Sequence, residues 1–189
     1  MLIGASEAAW AIGQPYNRFV TVLWERGGVP ARDVALANGR FIKLASDWMR
    51  QRGYRLTWAW VQEWGNTNGA HSHLLMHVPP DFDPLFRAMP LRWVKHILPG
   101  PYVAGSVQSQ KIRGGFDSGF SGDGLAAAIM GKLHYVMKAA PADLEHEFGL
   151  CGAGYKPWGQ ASPVFGKRVA VWQGWKAVSK IGENREICL

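Results

Sequence analysis

The sequence predicts an α+β fold, a central antiparallel sheet of about five strands with flanking helices. Three observations carry this expectation. Short runs rich in β-branched and aromatic residues alternate with longer stretches of helical periodicity. Two of the short runs are separated only by "GNTNGA", whose Gly and Asn suit a tight connection with positive φ. The resulting order, β-α-β-β-α-β-α, mixes a hairpin with helical connections rather than repeating one unit.

The elements follow in order. "NRFVTVLWERGG" predicts a first strand from Phe19 to Glu25, closed by Gly27 and Gly28. "ARDVALANGRFIKLASDWMRQRGY" places Val34, Leu36, Phe41, Leu44 and Trp48 at helical spacing and stops at Gly53, with Gly39 a point at which the helix could divide. "YRLTWAWVQEW" and "HSHLLMHV" predict the two strands of the hairpin. In "PDFDPLFRAMPLRWVKHIL" one or two short helices are expected, with Asp83 placed to cap, Pro84 at the first helical position, and Pro90 breaking or restarting the helix. "VAGSVQSQKIRGG" reads as a fourth strand with polar alternation. "LAAAIMGKLHYVMKAAP" reads as a helix that Pro141 ends, and "RVAVW" as a fifth strand. This order belongs with ferredoxin-like or RRM-like architectures, although it does not reveal which strands pair.

A chain of 189 residues can form one core, so residues 1–189 are expected to be a single domain. Hydrophobic residues make up 48%, ten of them Trp, and charged residues only 19%, which excludes the disordered class. No apolar run approaches the roughly 20 residues that span a bilayer, and the N-terminus lacks a basic start followed by a hydrophobic stretch. The expectation is a cytoplasmic protein with no membrane association. Cys151 and Cys188, with no CxxC spacing, offer neither a disulfide framework nor a thiolate metal site. The net charge of +7 favours a polyanionic partner. Its distribution points to the C-terminal part, where six basic residues from Gly152 onward face two acidic ones.

The chemistry begins in "HSHLLMHV". On a strand alternate side chains share a face, so His71, His73 and His77 are expected together with Leu75, and Ser72, Leu74, Met76 and Val78 on the other face. Two imidazoles so spaced can converge on one ion. If the hairpin sets Glu63 opposite His71, Glu63 supplies a third ligand, whereas a one-residue slip would substitute Gln62. Taken alone, HxH is also how ordinary hydrogen-bonded histidines occur on a polar sheet face. His77 is expected to be structural or to support the ligands rather than to ligate.

In the later helix Leu125, Ile129, Leu133, Val136 and Met137 form an apolar stripe and Tyr135 falls opposite it. Lys138 lies three residues on, beside the tyrosine, and Gly131 one turn before it. A tyrosine nucleophile needs its developing phenolate stabilised against a normal pKa near 10, which a neighbouring cation and a metal-polarised electrophile supply. Taken alone, YxxK describes an exposed ring and a solvated charge equally well.

Together these pieces resemble the HUH endonuclease superfamily, in particular the rolling-circle replication initiator (Rep) proteins of bacterial plasmids and phages. The matched parts come in the family's order: "FVTVLW" early, "WVQEW" with the acidic position, "HSHLLMHV" for the paired histidines, and "YVMK" for the tyrosine. A downstream "GKR" is also familiar there, and the resemblance runs from about residue 17 to 170. Ser72 departs from the family's pattern, which has a hydrophobe between the histidines. The resemblance implies that His71, His73 and Glu63 hold Mn²⁺ or Mg²⁺ against a phosphate of single-stranded DNA. Tyr135 would attack that phosphate to leave a 5′-phosphotyrosine and a 3′-hydroxyl, with Lys138 assisting. The partners it implies are single-stranded or hairpin DNA at a replication origin and, since no Walker A motif occurs, a host or separate helicase. Lys111, Arg113, Lys167 and Arg168 are candidate DNA-binding residues. A conjugative relaxase or single-tyrosine transposase would use the same residues. A non-catalytic single-stranded nucleic-acid-binding domain with the same sheet would need no metal.

Overall fold

The computed structural model describes residues 1–115, 122–137 and 164–178. Its elements are helix α1 (Leu2–Ala11), strand β1 (Arg18–Val22), helix α2 (Val34–Arg50), strands β2 (Trp58–Gly65) and β3 (Gly69–Met76), helices α3 (Asp83–Phe86) and α4 (Met89–Ile97), strand β4 (Val107–Lys111), helix α5 (Gly122–Met137) and strand β5 (Val169–Val171). The strands form one five-stranded sheet in the order β4-β1-β3-β2-β5, with antiparallel neighbours throughout. The α+β class with a central antiparallel sheet of five strands is therefore as expected.

The sheet has a helical layer on each face, and strand alternation sorts the side chains between them. Val20, Val22, Trp60, Leu74 and Met76 face α2 and α4, where Phe41, Trp48 and Trp93 fill the core. Phe41 and Trp48 each meet Trp93 edge to face, with ring centroids 5.4 Å and 6.2 Å apart. Phe19, Ala59, Val61 and Leu75 face the other way, against Leu2, Ala5, Ala8 and Ala9 of α1 and Leu125, Ile129, Leu133 and Val136 of α5. The stripe expected on α5 is thus the face it buries.

Several details differ from the sequence expectation. The first strand ends at Val22 rather than Glu25, because Trp24 turns into the core as a short 3-10 turn, Glu25–Gly27, begins. Helix α2 runs unbroken through Gly39, because its buried apolar face continues on both sides of that residue, from Val34 and Ala37 to Phe41, Ala45 and Trp48. Helix α1 has no counterpart in the sequence reading. It is built from small apolar residues with little amphipathic contrast, and what seats it is tertiary: the Trp172 indole donates to the Ala5 carbonyl across 3.1 Å.

Asp83 does not cap α3. It is the helix's first residue, and its buried carboxylate pairs with Arg18 of β1, with Lys111 of β4 at 3.0 Å and with Arg87 at 3.1 Å. A carboxylate with three cations in reach has no reason to turn back to its own backbone. His77 takes the structural role expected of it, although it does not stand with His71 and His73. It lies beyond the end of β3, with Nδ1 2.8 Å from the Pro15 carbonyl.

Candidate metal centre and tyrosine cleft

The hairpin register pairs Glu63 with His71 and Gln62 with Ser72, so Glu63, His71 and His73 stand on the α5 face of the sheet. All three are buried, and one ligand atom from each lies within 4.8 Å of the others. Glu63 Oε2 is 3.5 Å from His71 Nε2 and 3.8 Å from His73 Nε2. Ligands each bound to one ion at about 2.0–2.2 Å stand roughly 3–4 Å from one another, so this geometry fits a shared cation. Two imidazoles and one carboxylate leave coordination positions open for water or substrate. The group could therefore bind a metal ion, and its chemistry suits a site that works on something rather than one that only braces the fold.

The imidazoles are oriented from outside the cluster. His71 Nδ1 lies 2.9 Å from the Gly69 carbonyl, which can only accept, so Nδ1 carries a proton and Nε2 is the nitrogen turned toward Glu63. His73 Nδ1 lies 3.0 Å from the Thr21 hydroxyl. Its ring is also stacked on Phe19, with centroids 5.2 Å apart and 18° between planes.

Ser72, between the two histidines, points to the other face and is fully buried. There its hydroxyl accepts from Asn38 Nδ2 at 2.8 Å, and Asn38 Oδ1 accepts from the Trp24 indole at 2.9 Å. The polar residue in a position the resembled family fills with a hydrophobe is therefore matched by a buried amide on α2. Gln62, also on that side, donates from Nε2 to the Phe165 carbonyl at 3.2 Å.

Tyr135 hangs from α5 over the histidines. Its ring centroid is 5.2 Å from that of His73, at 71°, and 6.3 Å from that of Phe19, while the residue stays 44% exposed. Rather than simply facing away from the apolar stripe, it covers one wall of a cleft of about 330 Å³ whose floor is His71, His73, Thr21 and Phe19. Tyr16 is the contrasting case. It is fully buried, and desolvation pushes its phenol well above the ordinary range.

Lys138 lies outside the described residues. A cation the sequence reading passed over, Lys132, does line the cleft, with Nζ 4.6 Å from the centre of the Phe19 ring. The signal was present, since Lys132 precedes Tyr135 by the same helical interval at which Lys138 follows it. Gln108 and Gln110 of β4, paired with Thr21 and Phe19, and Asn68 in the hairpin turn add carboxamides to the rim.

The remaining candidates are dispersed. Lys111 is on the opposite face of β4, engaged with Asp83. Arg113 is exposed just past the end of β4. Lys167 is exposed and Arg168 half-buried at the entry to β5, where the Arg168 carbonyl accepts from Gln62 N at 2.8 Å. Those two run along the far edge of β2, next to the strand that carries Glu63. Among the described residues no helix is long and apolar enough to cross a membrane. Comparison with protein-family models, with curated proteins and with solved structures found no match to this chain.

Proposed function

We propose that this protein is a metal-dependent, site-specific endonuclease of the HUH type, which nicks and rejoins single-stranded DNA through a tyrosine and so initiates rolling-circle replication. The observation that carries the proposal is the juxtaposition of Tyr135 with His73 above a three-ligand group. Residues 62 positions apart, on a helix and on a central strand, meet at 5.2 Å between ring centres. The Tyr135 ring packs edge-on against His73 and Phe19 while the residue lines the open cleft. An exposed phenol beside a candidate metal centre is an arrangement suited to nucleophilic attack.

A divalent ion held by His71, His73 and Glu63, Mn²⁺ or Mg²⁺ in this proposal, would polarise a bound phosphodiester. The protein's own groups do the rest. Tyr135 Oη attacks phosphorus, the bond to the 3′-oxygen breaks, the phenolic proton passes to solvent, and the departing oxygen takes up a proton as a 3′-hydroxyl. The phosphotyrosine bond keeps the phosphate activated, so the hydroxyl can reverse the attack and rejoin the strand. Lys132, which lines the same cleft, would meet the phosphate's negative charge. The carboxamides of Asn68, Gln108 and Gln110 present hydrogen-bonding edges to bases, and Lys167 and Arg168 give backbone contacts across β2. Duplex unwinding would fall to a separate helicase.

The test is a covalent-adduct assay. Labelled single-stranded DNA from a randomised pool, incubated with Mn²⁺, should become attached to the wild-type protein through a bond that survives denaturing electrophoresis. Tyr135→Phe should bind DNA and form no adduct, and chelation should suppress the adduct in the wild type. Binding without any adduct in the wild type would instead indicate a non-catalytic single-strand-binding domain.

A further inference from the structure

The two candidate ligand histidines are oriented by groups of different kinds. His71 is answered by a main-chain carbonyl, and that carbonyl is itself held in place. Gly69 adopts φ +60° at the end of the hairpin turn, and the next residue, Ala70, donates its N–H to Glu25 Oε2 at 2.6 Å. A carbonyl has lone pairs and no proton, so His71 is confined to the form with hydrogen on Nδ1. His73 is answered by a hydroxyl, which can accept or donate. In one arrangement Thr21 accepts from Nδ1–H and the Nε2 lone pair can ligate. In the other Thr21 donates to Nδ1, and Nε2 bears a proton that bars it from a metal.

We propose that Thr21 is the positioning residue of the metal centre, the group that holds His73 in its ligating form, while the Glu25-braced hairpin turn does the same for His71. The inference rests on the metal-binding reading of Glu63, His71 and His73. Strand β1 then acts as a template for the site. Phe19 supports the flat face of the His73 ring and Thr21, two residues on and on the same face, fixes which nitrogen carries the proton. Thr21 is half-buried in the cleft lining, and its hydroxyl meets His73 at Nδ1 while Nε2 of the same ring faces Glu63, so its contribution is to ligand orientation. Outer partners of this kind typically change metal affinity by about 10–100-fold when removed.

The experiment is a Mn²⁺ titration by calorimetry on the wild type, Thr21→Val, which keeps the β-branched shape and removes the hydroxyl, and Thr21→Ser, which restores it. Thr21→Val should weaken Mn²⁺ binding by about 10–100-fold, with Thr21→Ser close to wild type. In the nicking assay the Mn²⁺ concentration for half-maximal rate should rise in the same proportion, while the rate at saturating Mn²⁺ stays nearly constant. A second measurement needs no variant: nitrogen NMR of the imidazoles in the Zn²⁺-loaded wild type should show the His73 proton on Nδ1. Equal Mn²⁺ affinity in Thr21→Val and wild type, or a proton on Nε2 of His73 in the loaded protein, overturns the inference and leaves the metal site standing. A wild type that binds no Mn²⁺ at all overturns the metal-binding reading and this inference with it.

Discussion

Removing the Ser72 hydroxyl tests whether the polar residue between the histidines is a structural requirement of this particular sheet. Ser72 and Asn38 are both fully buried, and Ser72 Oγ accepts from Asn38 Nδ2 at 2.8 Å. In Ser72→Ala the amide N–H keeps its burial and loses this acceptor, a penalty of about 1–3 kcal/mol. A chain of this size loses roughly 2–4 °C of melting temperature per kcal/mol, so the variant should melt about 2–12 °C lower. Asn38→Ala should cost more, because it also strips the acceptor from the buried Trp24 indole. In the double variant the Ser72–Asn38 bond can be lost only once, so its cost should fall short of the sum of the two single costs by about 0.5–3 kcal/mol. Urea denaturation followed by circular dichroism gives all three values. Costs that add to within about 0.5 kcal/mol, the margin expected of independent sites, would refute the account and make Ser72 a residue that could have been a hydrophobe.

Three further outcomes follow from the same geometry. Asp83→Asn should lower stability by about 3–5 kcal/mol, since it leaves the buried Arg18 without its carboxylate, whereas Lys111→Ala, on a side chain 44% exposed, should cost no more than about 1 kcal/mol; denaturant midpoints distinguish them. His77 is held below its ordinary pKa because burial disfavours its charged form, an effect only partly offset by its bond to Pro15. Its contribution is therefore complete above the unfolded value near 6.5 and is lost as pH falls toward the folded value, so wild-type stability should drop through that window faster than that of His77→Gln. Adding Mn²⁺ at a hundred times its dissociation constant stabilises a protein that binds it only when folded by about 2.7 kcal/mol. Melting should rise by roughly 5–11 °C in the wild type and not in His73→Ala, as read by scanning fluorimetry.

The sequence by itself determined the elements that rest on local pattern. The hairpin from Trp58 to Met76 was legible because Gly and Asn mark its turn and because alternation fixes which residues share a face; the pairing of Glu63 with His71 needed only that the turn close without a slip. The stripe on α5 was legible from its 3.6-residue period. What the sequence could not supply was anything that depends on elements meeting. The placement of α1 follows from an indole 167 residues away, and Asp83 was misread as a cap because its three cations arrive from β1, β4 and the next turn of its own helix. Only the tertiary structure decided that Tyr135 leans over His73, that Lys132 is the cation lining the cleft, and that Thr21 rather than another ligand's neighbour answers His73. The physical reason is that period and turn chemistry act over a few residues and are written where they act, while orientation across a sheet is set by partners whose separation along the chain bears no relation to their distance in space.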